Sequence, residues 1–298
     1  MCADTKSGNA PRRRSIAVDW QDCAWQPRIE VRPAPPPLDF HSPRRNFIFP
    51  KTMKTNLPHS RRRRAGFTLV ELLTVISIIG ILAALLLPVL AAAKKHALMT
   101  KAHLEAVDIA TAIQAYDSAY GRFPVSANAQ AAAGTNDFTY GGTFQTPGGS
   151  FTVGTAGYLT NNSEVVAILM DLTNYPNGSG PTANMNYVKN PQQTIFLNAH
   201  MSGDTSSPGV GTDLVYRDPW GNPYIITMDL NYDEMCEDAF YETTAVSGGG
   251  LNGLILAPDG NYAYRGKVMV WSAGPDGRID PTAPANQGAN KDNILSWK

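Results

Sequence analysis

Residues 67–93 decide the fold, and they read FTLVELLTVISIIGILAALLLPVLAAA. Every residue in this stretch is apolar or small except Glu71. The stretch exceeds the roughly 20 residues that an α-helix needs to cross a bilayer. A cleavable secretory signal is the rival interpretation, because residues 91–93 resemble its cleavage site, but the apolar region of such a signal has only about 7 to 15 residues. We therefore predict a membrane-spanning helix over residues 67–93.

The charge of the chain changes sign at this helix. Residues 1–66 contain 14 Lys and Arg against 5 Asp and Glu, a net charge of +9, so residues 67–298 carry −9. Arg61 to Arg64 directly precede the apolar stretch, and positive flanks stay in the cytoplasm. We predict a single-pass protein of the inner (cytoplasmic) membrane with a periplasmic C-terminal domain. Its acidic body argues against nucleic acid as a partner, whereas the apolar helix makes the lipid bilayer a partner.

Residues 1–52 combine arginine clusters with prolines and show neither helical nor strand periodicity. This composition predicts a disordered basic extension. Met53 then opens a short basic leader over residues 53–66. Translation from Met53 and a genuine N-terminal extension that starts at Met1 both remain open.

Beyond the membrane segment, apolar residues recur every three or four positions from Met99 to Tyr120. This spacing predicts an amphipathic helix over residues 94–122, which Gly121 and Pro124 end. Because the prediction joins it to the membrane helix, Pro88 falls inside one long helix. We expect a kink or local melting there, since proline removes a backbone donor.

Residues 123–298 are predicted to form an extracytoplasmic globular domain. Loops and a weak hairpin are expected over residues 126–160, and a short helix over Ser163–Leu172. Strand-like runs at residues 224–228, 253–257 and 267–271 suit an antiparallel sheet. The predicted fold class is α+β: a long membrane-spanning and amphipathic helix packed on a small antiparallel sheet with loop-rich insertions.

The segment RRRRAGFTLVE at residues 61–71 resembles the processing site of type IV prepilins and type II secretion pseudopilins. This resemblance implies that prepilin peptidase cuts between Gly66 and Phe67 and methylates the new amine of Phe67. Independently, an unpaired carboxylate such as Glu71 inside a bilayer costs about 3 kcal/mol and requires a partner. Cleavage would create that partner, an ammonium on Phe67, and the family resemblance implies pairing between neighbouring subunits during assembly.

Further segments resemble the major pseudopilin: Pro88, the sequence AYDSAYGRFP at residues 115–124, DPWGNPY at residues 218–224 and SAGPDG at residues 272–277. The resemblance implies the pilin fold and a subunit of a type II secretion pseudopilus. Implied partners are copies of itself, other pseudopilins and an inner-membrane assembly platform. A type IV pilin for adhesion, motility or DNA uptake is the alternative, since residues 126–216 form a larger insertion than a compact pseudopilin needs.

The C-terminal segment offers oxygen ligands for calcium. Asp276, Asp280 and Asp292 lie in a stretch broken by Gly, Pro and Asn, with Ser272 before them. Calcium takes six to eight oxygens in flexible geometry, so carboxylates spread along a loop can converge on one ion. Resemblance to the major pseudopilin points first to Asp276 and Asp292. The alternative is a solvated loop, in which Asp280 forms a turn.

A membrane-anchored exported enzyme is the least favoured alternative. Residues 67–298 contain no H-E-x-x-H, no G-x-S-x-G and no phosphate-binding glycine loop. His96, His103 and His200 are isolated in sequence, and acidic neighbours should raise the pKa of the Cys236 thiol. Cys236 is also the only cysteine beyond Gly66, so no intramolecular disulfide can close the domain. We predict that the protein is not an enzyme.

Overall fold

The structure, a computed structural model, describes residues 66–298. It begins with one helix, α1, over Leu69–Tyr120. Thr68 caps the helix at its start, and Gly121 ends it in the left-handed conformation with φ of 64° while its N–H donates to the Asp117 carbonyl. Glycine suits this position because it has no Cβ to clash there. The predicted extension and all of the leader up to Ala65 lie outside the described residues.

Helix α1 runs unbroken through Pro88. The expected local melting is therefore wrong. Proline removes one backbone hydrogen bond, and the long helical segments on both sides retain theirs, so the helix tolerates this single loss.

The remaining elements are short and separated by turns. In chain order they are α2 Ala127–Ala133, β1 Phe138–Tyr140, β2 Gly142–Thr146, β3 Gly149–Val153, α3 Ser163–Leu169, β4 Gly209–Val210, β5 Tyr216–Arg217, β6 Ile225–Met228, β7 Met235–Cys236, α4 Thr244–Ser247, β8 Ile255–Leu256, β9 Tyr262–Arg265, β10 Val268–Ser272 and β11 Ile294–Leu295. Short 3₁₀ turns occupy Met185–Tyr187, Leu251–Gly253, Gly274–Asp276 and Gly288–Asp292.

The main sheet has the strand order β1-β6-β10-β11, and all its pairs are antiparallel. Its centre is the β6–β10 pair, in which Met228 faces Val268 and Ile226 faces Val270. Smaller ladders join β2 to β3, β4 to β5, and β9 to both β7 and β8.

Side chains alternate between the two faces of the sheet, so each face has its own core. On one face, Val268 and Val270 pack in a cluster with Ile109, Ile113 and Tyr116 of α1. On the other face, Ile225, Met269 and Trp271 join a second cluster with residues of the hairpin and of the segment after β7, among them Phe144, Phe240 and Tyr241. The result is a helix, a sheet and a layer of hairpin and loops.

The predicted fold class is confirmed. The strands predicted at residues 224–228 and 253–257 are present in shorter form, and the one predicted at residues 267–271 is present one residue later. The predicted amphipathic stripe is buried from Ala102 to Tyr116. Strand β1 was missed, because its three residues carry too little periodicity to stand out from the loops around them. It belongs to the predicted insertion yet pairs with β6 in the main sheet.

Candidate functional site: the helix N-terminus and two loop motifs

The predicted cleavage position lies just outside helix α1. Gly66 and Phe67 are not helical, and both are exposed, with Phe67 at 78% of its maximum. A Cβ added to Gly66 would meet no atom within 4 Å. The Gly66–Phe67 bond is therefore accessible and free of helical hydrogen bonding.

Thr68 and Glu71 form a reciprocal capping box at the start of α1. The Glu71 N–H donates to Thr68 Oγ1 at 3.2 Å, while the Thr68 N–H and hydroxyl donate to Glu71 Oε2 at 2.8 and 2.7 Å. These bonds satisfy two donors that helix termini otherwise leave unpaired. Sequence reasoning missed this role of Glu71, although the spacing T-x-x-E signals it.

The first half of α1 exposes its apolar side chains on all sides. From Leu69 to Leu90 its large apolar side chains are 47–79% exposed. Within residues 66–298, α1 is the one helix long and apolar enough to cross a membrane by length and composition, and none of its most apolar window is buried. Such a surface is stable in lipid or against other apolar helices, but not in water.

Asp218 organises the DPWGNPY loop. Its side chain is fully buried, and Oδ1 accepts the N–H groups of Trp220 at 2.9 Å and Asn222 at 2.8 Å. Its Oδ2 accepts from Asn222 Nδ2 at 3.1 Å and from the Ser272 hydroxyl at 2.5 Å. Burial raises the pKa of Asp218, and these four donors oppose that rise.

The same contacts join the two loop motifs. Ser272 belongs to SAGPDG, and Asn222 Nδ2 also donates to the Gly274 carbonyl at 3.1 Å. Gly277 has φ of 61°, and a Cβ there would lie 2.7 Å from Asn222 Oδ1. The two motifs, more than fifty residues apart, thus form one structural unit that requires Gly277.

Tyr224 connects this unit to α1. Its ring is fully buried, and its hydroxyl donates to Glu105 Oε2 at 2.8 Å, with the Ala102 carbonyl at 3.2 Å. Burial raises the pKa of Glu105, which also lies 3.7 Å from Lys101. The end of the DPWGNPY loop is therefore fixed to the helix that leads to the membrane.

The structure brings together two of the four predicted calcium ligands. Asp292 Oδ1 is buried and has no hydrogen-bond partner in the described residues. Burial, followed by the nearby charge of Asp276, raises the pKa of Asp292. A cation between these carboxylates would relieve both effects, so the pair fits calcium.

The other two predicted ligands are engaged elsewhere. The Ser272 hydroxyl donates to Asp218 and accepts the Gly274 N–H at 2.9 Å. The exposed Asp280 accepts the N–H and hydroxyl of Thr282 at 2.9 and 2.6 Å, as a turn-former does. In the part of the chain that the structure describes, no three His, Cys, Asp or Glu side chains are grouped to bind one metal ion. Backbone carbonyls and water would have to complete the coordination.

The residues considered for catalysis are scattered. His96 and His200 are exposed, whereas His103 contacts the Leu295 carbonyl at 3.0 Å through Nδ1. Cys236 is fully buried, and burial, followed by the charges of Asp137 and Asp238, raises its thiol pKa well above the usual range. A thiol in this state is a poor nucleophile.

The exposed apolar helix, the accessible bond before it and the small antiparallel sheet are consistent with the class of type IV pilins and pseudopilins. Residues 61–87 match the family model described as the prokaryotic N-terminal methylation motif. The match includes the arginines, Gly66, Phe67 and Glu71, and it indicates a prepilin-type structural protein with a single-pass membrane anchor. Comparison of the chain with curated proteins gives no match, and comparison with solved structures gives none either.

Proposed function

We propose that this chain is a structural subunit of a type II secretion pseudopilus, cut and N-methylated by prepilin peptidase between Gly66 and Phe67. The observation that carries the proposal is the apolar, exposed first half of α1, which follows an accessible Gly–Phe bond and carries one carboxylate, Glu71. Before assembly this half lies in the inner membrane, with its N-terminus on the cytoplasmic side and residues 123–298 in the periplasm. In the filament, neighbouring helices replace the lipid.

Cleavage changes the electrostatics at the start of α1. It frees the Phe67 amine, which is cationic even when methylated, next to a helix N-terminus that disfavours positive charge. Glu71 supplies the compensating negative charge in a medium where an unpaired ion is costly. We propose that Glu71 pairs with the Phe67 amine of a neighbouring subunit, and that this pairing sets the position of subunits along the filament.

Two features favour a pseudopilus over a surface pilus. The DPWGNPY and SAGPDG motifs, which resemble those of major pseudopilins, are joined through Asp218, Ser272 and Gly274. Beyond Gly66, Cys236 is the only cysteine, so the domain cannot close its C-terminal region with a disulfide. A type IV pilin for adhesion, motility or DNA uptake is the second candidate, and the insertion at residues 126–216 would be its partner surface.

Processing is tested by mass spectrometry of the protein extracted from membranes. We expect N-methylated Phe67 as the first residue. The Gly66→Val variant should accumulate precursor, because a bulky side chain cannot replace hydrogen where the chain must lie extended against the peptidase, while a Cβ at Gly66 meets no atom of the described residues within 4 Å. Gly80→Val, inside helix α1, is the control for the same substitution and should be cut normally. A mature terminus after Ala93 would refute the leader interpretation.

Assembly is tested with two variants of Glu71. Gln at position 71 retains the capping box but has no charge. Ala at this position removes the charge and the capping box, and loss of the capping box costs about 1 kcal/mol of helix stability. Both variants should insert in the membrane, and both should fail to crosslink into filaments. If Glu71→Gln assembles normally, the carboxylate acts as a helix cap and the pairing role is wrong.

Secretion separates the two candidate filaments. Deletion of the gene should abolish export of secreted proteins to the medium if the filament is a pseudopilus. Electron microscopy of the cell surface gives the converse readout, since loss of surface fibres with normal export would establish the pilus alternative.

We also propose that calcium binds between Asp276 and Asp292. An ion bound only by the folded state stabilises it in proportion to its occupancy. The full chain in detergent should unfold at a higher temperature with calcium than with a chelator, and the Asp276→Ala, Asp292→Ala double variant should lose this difference. Asp280→Ala should keep it. A midpoint that calcium does not change in the parent protein would remove the site.

A further inference from the structure

A second acidic region lies far in sequence from the predicted calcium ligands. A cavity of about 680 Å³ opens between the end of α2, the start of β1, the segment around β7 and the turn between β8 and β9. Five carboxylates line it: Asp137, Asp233, Glu237, Glu242 and Asp259. The volume lies in the range typical of small-molecule sites.

Among residues 66–298, no Lys, Arg or His lines this cavity. The ion pairs of residues 66–298 are Lys101–Glu105, Arg217–Asp213 and Lys267–Asp117, and none of them involves a lining residue. The negative charge of the cavity is therefore not compensated by the described part of the chain. Carboxylates gathered in a concave surface raise the local concentration of cations.

Asp137 is the most deeply placed of these acids. It is 9% exposed, and Oδ2 accepts the Glu237 N–H at 2.6 Å. Its Oδ1 is buried without a hydrogen-bond partner in the described residues, and Asp137 is one of the residues that line the cavity. Burial raises the pKa of Asp137 to about 7, and the charges of Asp229, Asp233 and Glu237 add to the rise. A buried oxygen left unpaired in this way lacks a donor that a ligand can supply.

The carboxylates form a row across the cavity. Glu237 neighbours Asp137 on one side. On its other side, the Glu237 carboxylate accepts a hydrogen bond from Asn261 Nδ2 at 3.2 Å. Asn261 Nδ2 also donates to Asp259 at 2.8 Å. Glu242 lies near Glu237 and Asp259, and burial raises the pKa of Glu242 to about 7. The acidic groups are thus distributed along the wall and do not surround one point.

We propose that this cavity binds an organic cation with two or more ammonium groups along a flexible chain. Asp137 and Glu237 contact one part of this cation, and Glu242 and Asp259 contact another. The chemistry favours such a ligand over a single metal ion, because no three of the carboxylates are grouped to bind one ion, whereas the volume accommodates an extended chain. Ammonium groups supply the donors that Asp137 Oδ1 lacks. A free polyamine and lysine side chains of a partner protein share this chemistry.

Titration calorimetry of the full chain in a nonionic detergent tests the site, with spermidine and a tetralysine peptide as separate probes and calcium as a third. We expect saturable 1:1 binding of at least one amine probe. Affinity should fall at least about tenfold in Asp137→Asn and in Glu237→Gln, since each removes a charge-assisted bond. Asp108→Asn, an exposed acid on α1 with the same charge change, is the control and should bind normally. Circular dichroism verifies that each variant is folded.

The outcomes separate the sources of the ligand. Binding of spermidine alone, or of both probes, assigns the site to free polyamines, and binding of tetralysine alone assigns it to lysines of a partner.

Because carboxylates with a pKa near 7 lose protons as pH rises while amines keep theirs, affinity should increase between about pH 6 and pH 8. The proposal is overturned if neither amine binds, if Asp137→Asn and Glu237→Gln bind as the parent does, or if calcium alone binds in an Asp137-dependent way. Cleavage at Gly66 and filament assembly are measured independently, so either proposal can fail alone.

Discussion

Replacement of Asp218 by Asn should destabilise the globular domain of residues 123–298 by separating the two loop motifs. The substitution conserves shape and keeps Oδ1, which accepts the N–H groups of Trp220 and Asn222. It replaces Oδ2 with an amide that can no longer accept from Asn222 Nδ2 or from the Ser272 hydroxyl. Two of the four hydrogen bonds are lost: the Ser272 bond joins the two motifs, and the Asn222 bond holds, within DPWGNPY, the side chain that contacts Gly274.

The expected loss follows from these two bonds. A hydrogen bond to a charged group contributes about 1.5–3 kcal/mol to stability. The neutral amide also removes the burial cost that raises the pKa of Asp218, which offsets part of the loss. The net destabilisation should be about 2–3 kcal/mol, which lowers the unfolding midpoint by about 4–12 °C for a domain of this size.

Thermal unfolding of the full chain in detergent, followed by circular dichroism, measures the effect. Asp108→Asn changes the same charge on an exposed helix face and should leave the midpoint nearly unchanged. A Ser272→Ala variant should also lower the midpoint, since it removes the hydroxyl that donates to Asp218 and accepts the Gly274 N–H. If Asp218→Asn unfolds at the temperature of the Asp108→Asn control, Asp218 does not hold the motifs together.

Three further predictions concern single side chains. Tyr224→Phe should lower the free energy of unfolding by about 2 kcal/mol, because it removes the donor to the half-buried Glu105; denaturant titration measures this. Gly141→Ala should cost about 3 kcal/mol or more, since its Cβ would lie 1.8 Å from a carbonyl oxygen of β3; poor expression of folded protein and a lower midpoint are the readouts. With a chelator present, Asp292→Asn should be at least as stable as the parent at neutral pH, because burial and a neighbouring carboxylate raise the pKa of Asp292. Its advantage should vanish as pH falls and Asp292 becomes protonated, and midpoints measured across pH with and without calcium test this.

Local sequence was sufficient for the helix and the processing motif. A long apolar stretch prefers lipid to water, and arginines before it favour a cytoplasmic N-terminus. Both effects, like the start and end of α1, depend on residues that are close together in the sequence. The strands β6, β8 and β10 were also predictable, since each carries apolar or β-branched residues between turn signals. Strand β1 was not, because its place in the sheet depends on its pairing with β6 and not on its own three residues.

The sequence by itself determined that this protein has a prepilin-type methylation motif, a helix long and apolar enough to span a membrane, and an acidic α+β domain. Only the tertiary structure decided how the polar side chains are used, because their partners lie far away along the chain. It directed the Ser272 hydroxyl to Asp218 and away from the predicted calcium ligands. It placed Asp137 beside Glu237, a hundred residues later, at a cavity that no basic residue of the described part of the chain lines. Spacing reports which side chains share a helix face or a strand, but the distance between loops is set by the packing of the sheet and helix that carry them.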